Sequence, residues 1–131
     1  MNRYELREQV FKMLFRAEFY EKEELPEQLA LFFDELDQKE DKDVSYIQTK
    51  YEHILEHLPK IDQMINEAAK GWKTSRMAKV DLSLIRLAVY EIRYEKLPKG
   101  IAINEAVELA KTYGTDQSAG FVNGVLARIH E

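Results

Sequence analysis

The chain contains no cysteine, which excludes disulfide staples and every zinc or iron–sulfur site built on thiolates. Its five glycines match neither a phosphate-binding loop nor a dinucleotide fingerprint, and no strand pattern precedes any of them. Charged residues recur throughout, so no apolar run approaches the roughly 18 residues of a membrane span, and the N-terminus lacks the apolar core of a signal peptide. No membrane association is expected, and the cytoplasm is the expected location. Strand-like alternation, internal repeats, low-complexity tracts and flexible linkers are also missing. What remains is 131 residues, expected to fold as a single domain over 1–131 around one core.

The formal net charge of −5 argues against nucleic-acid binding until its distribution is read. Between Glu21 and Asp43 ten acids stand against three lysines, a local charge of −7. From Lys70 to Lys99 eight bases face three acids, a local charge of +5. A polyanion responds to local potential, so the total decides little.

Helical periodicity accounts for nearly the whole chain. In Arg3 to Tyr20, Leu6, Val10, Met13, Leu14 and Ala17 form one apolar stripe and Phe11, Phe15 and Phe19 a second. That helix is expected to be buried along its later turns. Leu25 to Leu36 follows, with Pro26 suited to a first turn, then a polar connection from Lys39 to Asp43. Asp43 or Ser45 is expected to cap a third helix carrying Val44, Ile47, Tyr51, Ile54, Leu55 and Leu58. Pro59 should end or bend it. Ile61, Met64, Ile65 and Ala68 continue in register to Gly71, which suits a left-handed position after a helix end. Asp81 then reads as the cap of the most apolar helix, Leu82 to Tyr94, expected at the centre. A turn over Leu97, Pro98, Lys99 and Gly100 precedes Ile103 to Tyr113, which ends at Gly114. Ala102, Ala106 and Ala110 offer that helix a close approach to a neighbour. Phe121, Val122, Val125, Leu126 and Ile129 mark the last helix. The expected fold is all-α, a bundle of about six to seven helices.

The residues with chemical potential mostly have plainer uses. His53 and His57 are four apart, but Ile54 stands where a metalloprotease helix needs glutamate. A solvated helix face explains them, and no metal is expected. Ser45, Ser75, Ser83 and Ser118 lie in no nucleophile-elbow context. No catalytic residues, enzyme activity or cofactors are expected. The GxxxG spacing of Gly120 and Gly124 reads first as close helix packing. Trp72, at a helix end, reads first as a core lid, with stacking on a base as the alternative. The start of the first helix is more informative. Continuing the stripe backwards from Val10 reaches Arg7 and Arg3, so an exposed basic end adjoins the core. With Tyr4 it offers two guanidiniums and a ring to a phosphate backbone and an unstacked base.

Three segments carry a resemblance: WKTSRMAKVDLSLIRLAVYE from Trp72 to Glu91, INEAVELAKTY from Ile103 to Tyr113, and SAGFVNGVL from Ser118 to Leu126. Together with LREQVFKMLF from Leu6 to Phe15 they resemble the NusB family of bacterial transcription antitermination factors. The resemblance implies an all-helical fold, no catalysis, and a heterodimer with the ribosomal small-subunit protein also called NusE. That pair binds the boxA element of nascent RNA. It joins the RNA polymerase elongation complex with other Nus factors on ribosomal RNA genes. On the matching positions the resemblance implies RNA contacts at Arg3, Tyr4, Arg7, Gln117, Ser118 and Phe121, Phe121 being equally readable as core. It implies partner contacts at Phe15 and Asp81. Two positions depart from the family's pattern: Tyr4 and Glu5 separate Arg3 from Arg7 where the family has more arginine, and Gly120 stands where lysine is common. Both remove positive charge from the expected RNA face. The other readings are a NusB-like accessory domain of an RNA cytosine methyltransferase and a helical homodimer without an RNA role, self-association being also the alternative state of the free protein.

Overall fold

The first helix starts because Asn2 and Glu5 close a capping box. The Glu5 N–H donates to Asn2 Oδ1 at 2.8 Å and the Asn2 N–H to Glu5 Oε1 at 2.9 Å, so two otherwise unpaired donors are satisfied. In the computed structural model, which describes all of residues 1–131, the helices are α1 (Arg3–Ala17), α2 (Leu25–Glu35), α3 (Asp41–Glu56), α4 (Leu58–Ala68), α5 (Lys79–Tyr94), α6 (Lys99–Tyr113) and α7 (Ser118–Ala127). Short 3₁₀ turns, Lys22–Glu24 and Thr74–Arg76, precede α2 and α5. There is no strand, and no helix is long and apolar enough to cross a membrane. The chain divides into two compact units, Met1–His53 and Ile54–Glu131, with the division falling inside α3.

In the first unit α1 packs on α2. Val10, Phe11, Met13 and Leu14 are buried as the periodicity requires. The second apolar stripe fares differently: Phe11 is buried, Phe15 is half-buried, and Phe19 is 60% exposed. The reason is that α1 ends at Ala17, so Phe19 lies beyond the helix that would have turned it inward. Arg16 joins the two helices, its Nε donating to Gln28 Oε1 at 2.9 Å and its Nη1 lying 3.2 Å from Glu35 Oε2. Asp43 is not the residue that precedes α3, as the sequence suggested, and the segment from Lys39 to Asp43 is not all connection. The helix begins at Asp41, and Asp43 in its first turn accepts the Glu40 N–H at 3.1 Å. Its carboxylate also lies 3.4 Å from the amino terminus. The Glu40 N–H bond foremost, helped by the amino terminus, holds this carboxyl below its usual range despite its burial. Tyr51 is buried with an unpartnered hydroxyl, and desolvation pushes its pKa up to about 12.

The interruption expected at Pro59 is present: α3 ends at Glu56 and α4 begins at Leu58. In the second unit Pro59 occupies the first turn of α4, where a missing N–H leaves no bond unmade. Every residue of α5 from Asp81 to Ile92 is buried. Leu82, Leu84, Ile85, Leu87, Val89 and Ile92 each contribute roughly 1.5–3 kcal/mol through burial. Helices α5, α6 and α7 pack on one another, with α4 against α5. Ala102, Ala106 and Ala110 are buried, which lets α6 approach closely. Arg86 forks onto Asp62 with bonds of 2.9 and 2.8 Å, tying α5 to α4. Helix α6 starts at Lys99, four residues before Ile103: Lys99 and Gly100 lie in its first turn, and Pro98 precedes it as the residue whose carbonyl accepts the Ile101 and Ala102 N–H groups at 3.0 and 3.1 Å. The ring of His57 lies 4.4 Å from that of Tyr94.

Candidate nucleic-acid interface

At the start of α1 the capping box uses Glu5, the acid between the two arginines, to hold the helix N-terminus, where negative charge is favoured by the dipole. Arg3 and Tyr4 remain exposed, Arg7 is half-buried, and Arg7 already interacts within the chain. The exposed basic end therefore rests more on Arg3 than the stripe alone suggested.

The start of α7 is built by a tight turn. The Thr115 N–H donates to Ser118 Oγ at 2.9 Å, the Ser118 N–H to the Thr115 carbonyl at 3.1 Å, and the Gln117 N–H to Thr115 Oγ1 at 3.3 Å. Gly114 permits this turn by its small size. Its φ is −96°, ordinary for any residue. A Cβ there would overlap the Ser118 side chain and come within 2.8 Å of the Ala110 carbonyl oxygen. The helix ends at Gly114 as expected, and a close approach selects the glycine there. Ser118 is buried and its hydroxyl is the fastener of the turn, which presents the exposed Gln117 and the half-buried Phe121.

Trp72 departs most from the core role that its place at a helix end suggests: it is 55% exposed. Two consecutive left-handed residues, Lys70 with φ 44° and Gly71 with φ 97°, turn the chain away from α4 and send the indole outward. The segment is anchored behind it by the Thr74 N–H donating to Asn66 Oδ1 at 2.9 Å. The indole meets the Phe121 ring edge to face, at 5.9 Å between centroids and 76° between planes. This aromatic pair borders a pocket of about 260 Å³ together with Arg76, Asp81, Thr115 and Gln117. Arg76 is visible in the sequence only as part of a basic stretch. At Gly120 and Gly124 an added Cβ would meet no atom within 4 Å, so neither glycine serves close helix packing.

Of the residues matched to a partner role, Phe15 is half-buried, with its ring 6.2 Å from Phe11 and 5.0 Å from the exposed Phe19. Asp81 is not the cap of α5. Ala78 holds that position, and Asp81 lies in the first helical turn, 8% exposed, with Oδ1 lacking any hydrogen-bond partner. It lines the same pocket as Gln117 and Phe121, so the structure joins residues that the resemblance assigns to different ligands. No group of three or more His, Asp or Glu side chains is placed to hold a metal ion.

The NusB family model matches residues 4–131. The transcription antitermination protein NusB of Agathobacter rectalis is 57% identical to the chain, over 98% of each sequence. Among solved structures, T. maritima NusB superposes with a TM-score of 0.85 at 37% identity, over 98% of this chain and 89% of that one. The crystal structure of antitermination factors NusB and NusE in complex with dsRNA aligns with a TM-score of 0.78 at 26% identity, over 97% and 96%. Identity at this level over the full length, on the same all-helical fold, settles the family: the chain belongs to the NusB family.

Proposed function

We propose that the protein is a transcription antitermination factor that pairs with the ribosomal protein NusE and binds boxA RNA. In this reading it has no catalytic role and acts in the cytoplasm, on elongating RNA polymerase with other Nus factors. The observation that carries this reading is the full-length match to an antitermination protein at 57% identity, and a relative of the same fold has been solved with NusE and dsRNA. Arg3, Tyr4 and Arg7 supply cations and a ring at the start of α1. Gln117 and Phe121 supply a polar side chain and a ring at the start of α7, with Ser118 holding the turn that presents them. Single-stranded RNA is recognised by this combination of backbone cations, stacking and base-edge hydrogen bonds. Phe15 offers an apolar anchor and Asp81 a carboxylate to a basic partner.

The experiment is a mass measurement in solution on the chain alone, with NusE, and with NusE and a boxA oligonucleotide. One chain with one NusE, gaining one RNA, is the expected result. A homodimer that takes up neither NusE nor RNA refutes the reading.

A further inference from the structure

Trp72 has no use in the fold that explains its position. An indole more than half exposed gives up most of the burial that usually accounts for a tryptophan. Yet its placement is specific, fixed by two left-handed residues before it and the Asn66 bond behind it. Around it stand Lys70, Lys73 and Arg76, all exposed, with no acid between residues 70 and 76. None of the three is engaged in an ion pair. An exposed aromatic face among unpaired cations is the arrangement that holds single-stranded nucleic acid, the ring stacking on a base while the cations follow the phosphates.

We propose that the pocket beside Trp72 takes one unstacked RNA base, with the indole as the stacking surface, Gln117 and Thr115 at the base edge, and Lys73 and Arg76 on the adjoining phosphates. This rests on the RNA-binding reading and extends it to residues between α4 and α5. Phe121 meets the indole edge to face, so no base fits between the two rings. Phe121 instead braces Trp72 from one side and leaves the exposed face of the indole for the base. A protein side chain is the competing occupant, but the charge of this segment opposes a basic ribosomal partner and suits a polyanion. Asp81 forms part of the pocket wall, so the titration with NusE alone separates occupation by the partner from occupation by a base.

Trp72 is the only tryptophan of the chain, so its emission reports on this pocket alone when tyrosine is not excited. The full chain is titrated with boxA RNA, and separately with NusE, while emission is followed and RNA binding is measured in parallel with a labelled oligonucleotide. The expected result is saturable quenching by RNA in step with binding. Trp72→Ala should weaken RNA binding by roughly 5- to 140-fold, the range of one base stack, and Trp72→Phe should retain most of the affinity. Because less than half of the indole is buried and it packs on Phe121 alone among the rings, Trp72→Ala should lower the melting temperature modestly and Trp72→Phe less, with both variants folded at the assay temperature. Removing one base of the oligonucleotide, at one position, should abolish the difference between wild type and Trp72→Ala. RNA binding with unchanged emission and an unaffected Trp72→Ala overturns the base pocket while leaving the antitermination reading intact. Quenching by NusE alone, with no further change on adding RNA, assigns the pocket to the partner and also overturns it. No RNA binding by the wild type, with or without NusE, sinks both readings.

Discussion

Replacing Gly114 by alanine tests how the start of α7 is held. The backbone at Gly114 suits alanine, so no conformational strain is expected from φ. The added methyl, however, would overlap the Ser118 side chain and lie 2.8 Å from the Ala110 carbonyl oxygen. That carbonyl is fixed by the end of α6, where it accepts the Gly114 N–H at 2.8 Å. Relief therefore requires the turn to open, which breaks the bond from Thr115 N–H to Ser118 Oγ. Overpacking costs about 1–3 kcal/mol and a broken hydrogen bond about 1 kcal/mol, so the variant should be destabilised by roughly 2–4 kcal/mol. For a chain of this size that is a drop of roughly 10 °C in melting temperature. The assay is thermal and urea unfolding of Gly114→Ala, Gly114→Asn, Ser118→Ala and the double variant Gly114→Ala with Ser118→Ala. Asparagine tolerates left-handed backbone but carries a Cβ, so it should be at least as damaging as alanine. The double variant should be destabilised by less than the sum of its parts, since removing Oγ relieves part of the overlap. A well-tolerated Gly114→Asn beside a damaging Gly114→Ala would show that conformation, not space, selects glycine here.

Asp62→Ala should destabilise the protein by about 2–3 kcal/mol, because it leaves the nearly buried Arg86 guanidinium without its two-bond partner; denaturant unfolding at constant m checks this. Asp43 has a lowered pKa in the fold, so its stabilisation is complete above the unfolded carboxyl range and is lost as pH falls through the folded value. Asp43→Asn should accordingly flatten the acid limb of a stability–pH curve, and an unchanged limb would show that the bonds to Glu40 and the amino terminus carry no weight. Asp81→Asn should weaken or slow NusE association most clearly at low salt while the melting temperature stays nearly constant. A lowered melting temperature with intact NusE affinity would place the carboxylate in folding alone.

Helix identity is legible wherever apolar spacing is dense, as in α5, whose buried run from Asp81 to Ile92 leaves almost no polar face to confuse the reading. Helix starts are less legible. An acid near an apolar run reads as a cap, yet Asp43 and Asp81 both lie inside the first turn, where the dipole favours a carboxylate just as well. Gly100 similarly resembles a turn residue although it sits within the first turn of α6. Local pattern cannot show that Gly114 is selected by the approach of Ser118, a residue placed by the next helix. Nor can it show that Lys70 and Gly71 turn Trp72 outward, because an aromatic residue after a helix end is consistent with either direction. The proposed site divides in the same way. Arg3 and Arg7 follow from extending one stripe, with Tyr4 beside them, whereas the meeting of Asp81, Gln117 and Phe121 around one pocket depends on how α5 and α7 pack.

Recognition of boxA RNA by this chain with NusE, through cations that include Arg3 and Arg7, can be measured as affinity for a boxA oligonucleotide and a scrambled control, each with and without NusE, over a range of salt concentrations, for wild type and for the Arg3→Ala, Arg7→Ala double variant. Preferential binding of boxA that strengthens with NusE is the expected result. The double variant should bind more weakly, with a log affinity against log salt slope shallower by roughly 0.7 for each phosphate that an arginine no longer neutralises. Equal binding of boxA and scrambled RNA in the presence of NusE, or a slope unchanged by removal of both arginines, would contradict this mode of recognition.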